Sequence, residues 1–352
     1  HVGRRKMILA KYPEIKKLMR PDNWSAVFCL CQVLFQFAMA YWCTFLDWWA
    51  VFVLSYVVSG TMSQSLQLAM HELSHDLWFK TRRLNQYFAF IANLPCAVPS
   101  SATFKRYHLE HHTYQGVDQI DCDIPSHLET YLLRSTLGKM VFVQLQWAFY
   151  AFRPMLIRPK SHNKDEILNW VIVVAWDIFV FMYFGPKAFF YFLGGSLLGM
   201  GIHPMTAHAI SEHYEFIPGQ ETYSYYGIMN YISYNVGYHN EHHDFPRIPG
   251  RLLPQVTAIA PEFYLNIPSY TSWCRLLYDF IFFYNMSLWQ RVKREEETMF
   301  NRKVQADVKA KDTSIGETMD EATKSAKAGD ATTQAGSESD SESDTVDKPK
   351  CQ

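Results

Sequence analysis

Residues 24–46 (WSAVFCLCQVLFQFAMAYWCTFL) contain no charged side chain. Coiled as a helix, such a run spans the roughly 30 Å hydrocarbon layer of a bilayer. Asp47 interrupts it, and residues 48–70 (WWAVFVLSYVVSGTMSQSLQLAM) form a second uncharged run. The two read as a transmembrane hairpin whose second helix leads straight into His71. A second pair is expected at 168–184 and 188–205, separated by a Gly185-Pro186-Lys187 turn. Asp177 lies inside the third span, where an acidic side chain is costly and is expected to face the bundle interior.

Charge placement orients these spans. Seven Lys and Arg fall within the first twenty residues (Arg4, Arg5, Lys6, Lys11, Lys16, Lys17, Arg20), whereas the two hairpin tips carry only Lys187. The positive-inside rule then puts the N-terminus in the cytosol, and four spans return residues 70–167 and everything after 208 to the same side. Two further apolar stretches bear on this count. Residues 84–98 are too short and too broken by Asn93 and Pro95 to span. Residues 137–157, interrupted by Lys139, Gln144, Gln146 and Arg153, are expected to lie in the interface. The sequons at Asn23 and Asn285 are both placed in the cytosol, so a glycan on either would overturn this topology.

The mean hydropathy of -0.14 looks too polar for such a protein. It is lowered by the stretch from about Lys303 onward, rich in Lys, Asp, Ala, Thr and Ser, which includes SESDSESD and cannot bury enough apolar surface to fold. The organisation expected is a basic cytosolic segment (1–23), a folded domain (24–300) and an acidic, Ser-rich cytosolic tail (301–352). The final KPKCQ resembles the dilysine retrieval address of endoplasmic-reticulum membrane proteins. A net charge of -1 offers no general attraction for nucleic acid. Seven Cys without a C-x-x-C pair suggest neither a disulfide framework nor a zinc ribbon.

Chemistry concentrates in the histidines. Of fourteen, eight form three groups: His71 and His75 in HELSH, His108, His111 and His112 in HLEHH, and His239, His242 and His243 in HNEHH. Positions i, i+3 and i+4 share a helix face, so each group can aim its rings at one place. A single such pair is usually an ordinary surface or core feature; two H-x-x-H-H triplets plus a pair on one membrane face are not. A catalytic zinc takes three protein ligands, too few to use eight. Two irons with four or five ligands each absorb the number and leave positions for dioxygen. Asp76, Glu110, Glu241 and Asp244 adjoin the clusters and are candidates to hold the outer ring nitrogens, with solvated charge as the alternative. HELSH also satisfies the H-E-x-x-H pattern of zinc metalloproteases, with Glu72 as the base, but that reading leaves both triplets unexplained. A further ligand is expected from HPMTAHAISEH: His213 first, His208 second, with His203 ending the helix.

The three boxes with spans arranged two and two resemble the membrane fatty-acid desaturase and hydroxylase superfamily. AKYPEIKKLM, ANLPCAVP, FKRYHLEHHTY, YAFRP and above all ETYSYYGIMNYISYNVGYHNEHHDFPRIPG narrow the likeness to the sphingolipid delta-4 desaturases, over roughly residues 8–295. The resemblance implies an all-α integral membrane protein of the endoplasmic reticulum: four transmembrane helices in two hairpins, with a cytosolic helical cap holding a di-iron histidine site. It also implies desaturation of dihydroceramide to ceramide with O2 and electrons from NADH through cytochrome b5 and its reductase. No His-Pro-Gly-Gly haem motif occurs, so the cytochrome is expected to be a separate protein. C4 hydroxylation to phytoceramide on the same scaffold, and a non-catalytic metal-binding membrane scaffold, are the alternatives. Tyr223, Tyr225, Tyr226, Tyr231 and Tyr234 are candidates to line a lipid channel, against core packing or an interfacial belt. Asp118, Asp121 and Asp123 are candidates for head-group or basic-partner contacts, against a solvated loop.

Overall fold

The computed structural model describes residues 1–294, and the expectations for the tail lie outside them. Helix α1 (Val2–Lys11) precedes α2 (Asn23–Cys43), which turns through Thr44–Asp47 into α3 (Trp48–Leu54), a π-helical turn (Ser55–Ser59) and α4 (Gly60–Ser74). The chain from Trp48 to Ser74 is thus one helical rod with a widened turn in its middle. It runs antiparallel to α2: Gln36 faces Ser59 and Ser63, while Gln32 donates to Ser65 Oγ at 2.7 Å. Tyr191 and Tyr234 donate to the carbonyl oxygens of Gln36 and Gln32 at 2.6 and 2.5 Å. The polar side chains of these uncharged runs therefore face each other, and Leu34, Trp49, Phe52 and Val53 face outward.

Helices α5 (Arg82–Asn93), α6 (Ser101–Tyr114), α7 (His127–Leu132), α8 (Thr136–Gln144) and α9 (Gln146–Ile157) follow. In α8 and α9 the usual pattern is inverted. Lys139 is buried, donating to the carbonyls of Phe283 and Met286, and Arg153 is buried against Glu129. Leu137, Phe152, Met155 and Leu156 are exposed.

Helix α10 (Lys164–Gly199) is interrupted at Gly185, whose φ of 82° only glycine adopts freely. Phe37 touches both Trp176 and Phe192. Those residues are sixteen apart and would lie about 24 Å from each other on a straight helix. The chain therefore reverses at Gly185, as expected from Gly-Pro-Lys. The returning limb stops at Gly199, earlier than the expected 205, and Gly199 packs directly against Gly60. A Cβ there would lie 2.6 Å from the Gly60 oxygen. Among the described residues, two helices are long and apolar enough to cross a membrane by length and composition: Asn23–Cys43 and Lys164–Gly199. The expected second span does not qualify, because its π turn and inward Ser and Gln residues interrupt it.

Past α10, α11 (Ala207–Glu212), α12 (His239–Asp244), α13 (Leu253–Ile259) and α14 (Trp273–Phe282) alternate with long connections, joined by two parallel two-residue strands, β1 (Ser224–Tyr225) and β2 (Ser269–Tyr270). The N-terminal segment belongs to this part of the fold. Its Ile8 and Ile15 are fully buried in one apolar cluster with Phe245, Ile248, Leu252 and Tyr264.

Candidate metal centre

Each box follows from its local helix. His71 lies on the last turn of α4 and His75 is its C-cap; His108, His111 and His112 project from α6; His239, His242 and His243 occupy α12. Their nitrogens form two groups. His71, His75, His108, His112 and His242 lie within 4.8 Å of one another, and His111, His213 and His243 do likewise. His239 joins the second group, its Nε2 3.2 Å from that of His213. The groups adjoin where the rings of His112 and His243 stack at 4.3 Å. The second and third boxes serve both groups, the first box only one.

Burial, followed by neighbouring imidazoles or Arg291, holds His71, His75, His108, His112, His213, His239, His242 and His243 well below the ordinary histidine range. They are therefore neutral, the form that binds metals. In His111 burial also acts downward, but the charge of Asp121 outweighs it and the pKa is raised. The donor set fits a pair of cations. His108 Nε2 faces the Nε2 atoms of both His75 and His112, at 2.9 and 3.1 Å. His242 Nε2 similarly faces His71 and His112, at 2.9 and 3.2 Å. A neutral ring nitrogen has one proton or one lone pair and cannot satisfy two such neighbours. His243 Nε2 is buried with no hydrogen-bond partner among the described residues. A cation among the lone pairs resolves both problems.

The eight boxed histidines and His213 are brought together; His208 is not grouped with them and turns Nδ1 to the Met205 carbonyl at 2.7 Å. The four carboxylates expected behind the rings are engaged elsewhere. Asp76 pairs with Lys105, and Glu110 with Arg158 and Lys160. Glu241 accepts from Ser224, Tyr226 and Thr257, while Asp244 binds Arg4, Tyr264 and His1. Helix geometry explains two of these: Glu241 lies on the opposite face of α12 from the ligand rings, as Glu110 does on α6. Behind the rings stands Asp121 instead, buried, 3.0 Å from His111 Nδ1 and held by the Gly116 N–H at 2.7 Å. Gln115 lies 2.9 Å from His213 Nδ1. The sequence places Asp121 on a loop with Asp118 and Asp123, and nothing in its spacing ties it to His111.

Glu72, the would-be base of a zinc protease, points away. Its buried carboxyl accepts the Gly250 N–H at 2.9 Å and sits near Trp78 Nε1, and burial pushes its pKa up to about 8. Of the five tyrosines expected along a channel, Tyr226, Tyr231 and Tyr234 line a cavity of about 810 Å³, whereas Tyr223 and Tyr225 are buried in packing. The cavity borders the Glu241 side of α12, behind the third box.

These features make a histidine-rich cluster able to hold metal ions, and sequence relationships place the chain in a family. The profile of fatty acid desaturases matches residues 47–273, and that of the sphingolipid Delta4-desaturases (DES) matches residues 1–24. The chain belongs to the fatty acid desaturase family and is an oxidoreductase. It is 48% identical to the sphingolipid delta(4)-desaturase DES1 of Rattus norvegicus over 296 residues, 84% of this chain and 92% of the relative. The proteins of that name from Homo sapiens and Drosophila melanogaster are 45% and 48% identical, each spanning 84% of this chain and 93% of the relative.

Proposed function

We propose that this enzyme is a sphingolipid delta(4)-desaturase that introduces the trans 4,5 double bond of ceramide into dihydroceramide. The observation that carries the reading is the convergence of nine histidines into two adjoining groups, in a chain whose relatives bear that name over almost their full length. The centre holds two non-haem irons: His71, His75, His108, His112 and His242 around one, His111, His213, His239 and His243 around the other. His213 rather than His208 is the ninth ligand, since its Nε2 lies 3.1 Å from that of His111.

A saturated methylene has no acidic proton and no leaving group, so bound iron supplies the oxidising power through dioxygen. The balance is closed by two hydrogen atoms, one from C4 and one from C5, with two electrons from NADH through cytochrome b5 and its reductase and two protons taken up from the medium, which together reduce O2 to two waters. The protein's part is to hold neutral imidazoles in fixed directions and keep bulk water out. Phe104 stacks on His108 at 4.8 Å and covers one side of the first group.

The two helical hairpins are four spans of the endoplasmic-reticulum membrane, with both termini cytosolic. The outward apolar faces of α2 and α10 meet lipid, and α8 and α9 lie at the interface with Leu137, Phe152 and Leu156 toward it. Expression in cells lacking the activity, followed by lipid mass spectrometry, tests the function. Ceramide lighter by two hydrogens supports it; a product heavier by one oxygen identifies a C4 hydroxylase, and no product refutes both.

A further inference from the structure

Helix α12 carries three of the nine histidines on six residues. A helix this short is not stable alone, because its few hydrogen bonds barely repay nucleation. Its direction must come from what grips it. The residue after His243 is Asp244, whose side chain is 0% exposed. Arg4, arriving from the other end of the sequence, sets Nε 2.6 Å from Asp244 Oδ2 and Nη2 2.8 Å from Asn240 Oδ1. One planar fork thus ties both turns of α12, since Asn240 follows His239 and Asp244 follows His243. Tyr264 donates to Asp244 Oδ2 at 2.9 Å, and its ring lies under the guanidinium. His1 reaches Asp244 Oδ1 at 2.8 Å, with its ring 5.1 Å from that of His243. The fork is not a loose surface contact, because α1 is anchored by fully buried Ile8.

We propose that Arg4 is a positioning residue of the metal centre: through Asp244 and Asn240 it fixes the directions of His239, His242 and His243, and so makes the N-terminal helix part of the site. Without Arg4 the buried carboxylate loses its main cationic partner and swings toward water. His243 is its chain neighbour and turns with it. The inference rests on the reading of the histidines as iron ligands and adds to it a segment that contributes no ligand of its own.

The test uses the full-length protein purified in detergent and loaded anaerobically with ferrous iron. Iron per chain, the rate of iron release to a chelator and the Mössbauer spectrum are measured for wild type, Arg4→Ala, Arg4→Lys and Lys11→Ala. Arg4→Ala is expected to release iron on the order of tenfold faster, with a changed spectrum. Arg4→Lys should fall between it and wild type, because an ammonium reaches Asp244 or Asn240 but not both. Lys11 is on the same helix but pairs with exposed Glu262, so Lys11→Ala should match wild type. Wild-type release and spectrum in Arg4→Ala overturn the proposal, as does equal loosening by Lys11→Ala, which would trace the effect to α1 at large. If Arg4→Ala does not fold, Arg4→Lys decides: wild-type release there overturns the proposal. A wild type that takes up no iron overturns the ligand assignment itself, a different failure.

Discussion

The first two histidine boxes ride on helices of fifteen and fourteen residues, the third on a helix of six. Helices α4 and α6 pack against each other and against α5 and α10, so the bundle that supports them also aims their rings. Helix α12 has no such length. Its three residues other than histidine are instead all occupied: Asn240 donates to the Thr222 carbonyl, Glu241 takes three hydroxyls, and Asp244 takes Arg4 and Tyr264. One part of the centre is positioned by apolar packing, the other by buried hydrogen bonds. The two should fail differently. Packing tolerates loss of a charge near it, whereas a buried network left with an unpaired member loses the full desolvation cost.

The largest effect is expected where both supports converge. His111 faces His213 and is backed by Asp121, so His111→Ala should abolish product in the lipid assay. Persisting turnover would remove the metal reading for both kinds of box. Asp121→Asn keeps the shape but removes the nearer of the two charges behind His111, leaving Asp123 at 3.4 Å. Iron affinity should fall about 10- to 100-fold in chelator competition, and an unchanged affinity would mean that α6 alone orients the ring. The comparison is sharpest between the two glutamates inside the H-x-x-H-H triplets. Glu241→Ala strands the buried hydroxyls of Ser224 and Thr257 and the half-buried one of Tyr226, and should cost about 3 kcal/mol in thermal unfolding.

Glu110, at the matching place in the second box, pairs with Arg158 and Lys160 nearer the surface, and Glu110→Gln should cost at most about 1 kcal/mol. Burial raises the Glu110 pKa, but the two cations outweigh it and hold the carboxyl below its usual value. Its contribution is therefore complete above the unfolded value of about 4.5 and lost as pH falls through the lower folded one. The gap between wild type and Glu110→Gln should close in acid; a gap that widens there would contradict the pairing. Smallest of all, Glu72→Gln should leave desaturation unchanged, since that carboxyl bonds Gly250 and not the site. Loss of turnover in that variant would reopen a catalytic role for HELSH.

The converging histidines were legible because metal chemistry restricts residue type and helices restrict spacing. His71 and His75, or His108, His111 and His112, are aimed together by the i, i+3, i+4 rule before any tertiary contact exists. The carboxylates were not legible for the same reason. Glu110, Glu241 and Asp244 adjoin ligands in sequence, but neighbours on a helix point about 100° apart, and these three are directed away. The carboxylates that back the His111 ring, Asp121 and more distantly Asp123, are ten and twelve residues away on a loop whose path no periodicity describes. His208 lies in the first turn of α11 and His213 caps its end, and only the tertiary structure separates the ring that meets His111 from the one that turns to Met205.

Local chemistry in the sequence was enough to determine uncharged runs that pair as hairpins, a reversal at Gly185 and the set of nitrogen donors. Each depends on transfer energy, backbone freedom or ligand preference, which short segments carry by themselves. The tertiary structure decided how the donors divide into five and four, which acid stands behind His111, and that Arg4 grips the third box from more than two hundred residues away. Those outcomes depend on long-range contacts, where direction in space counts and proximity in sequence does not.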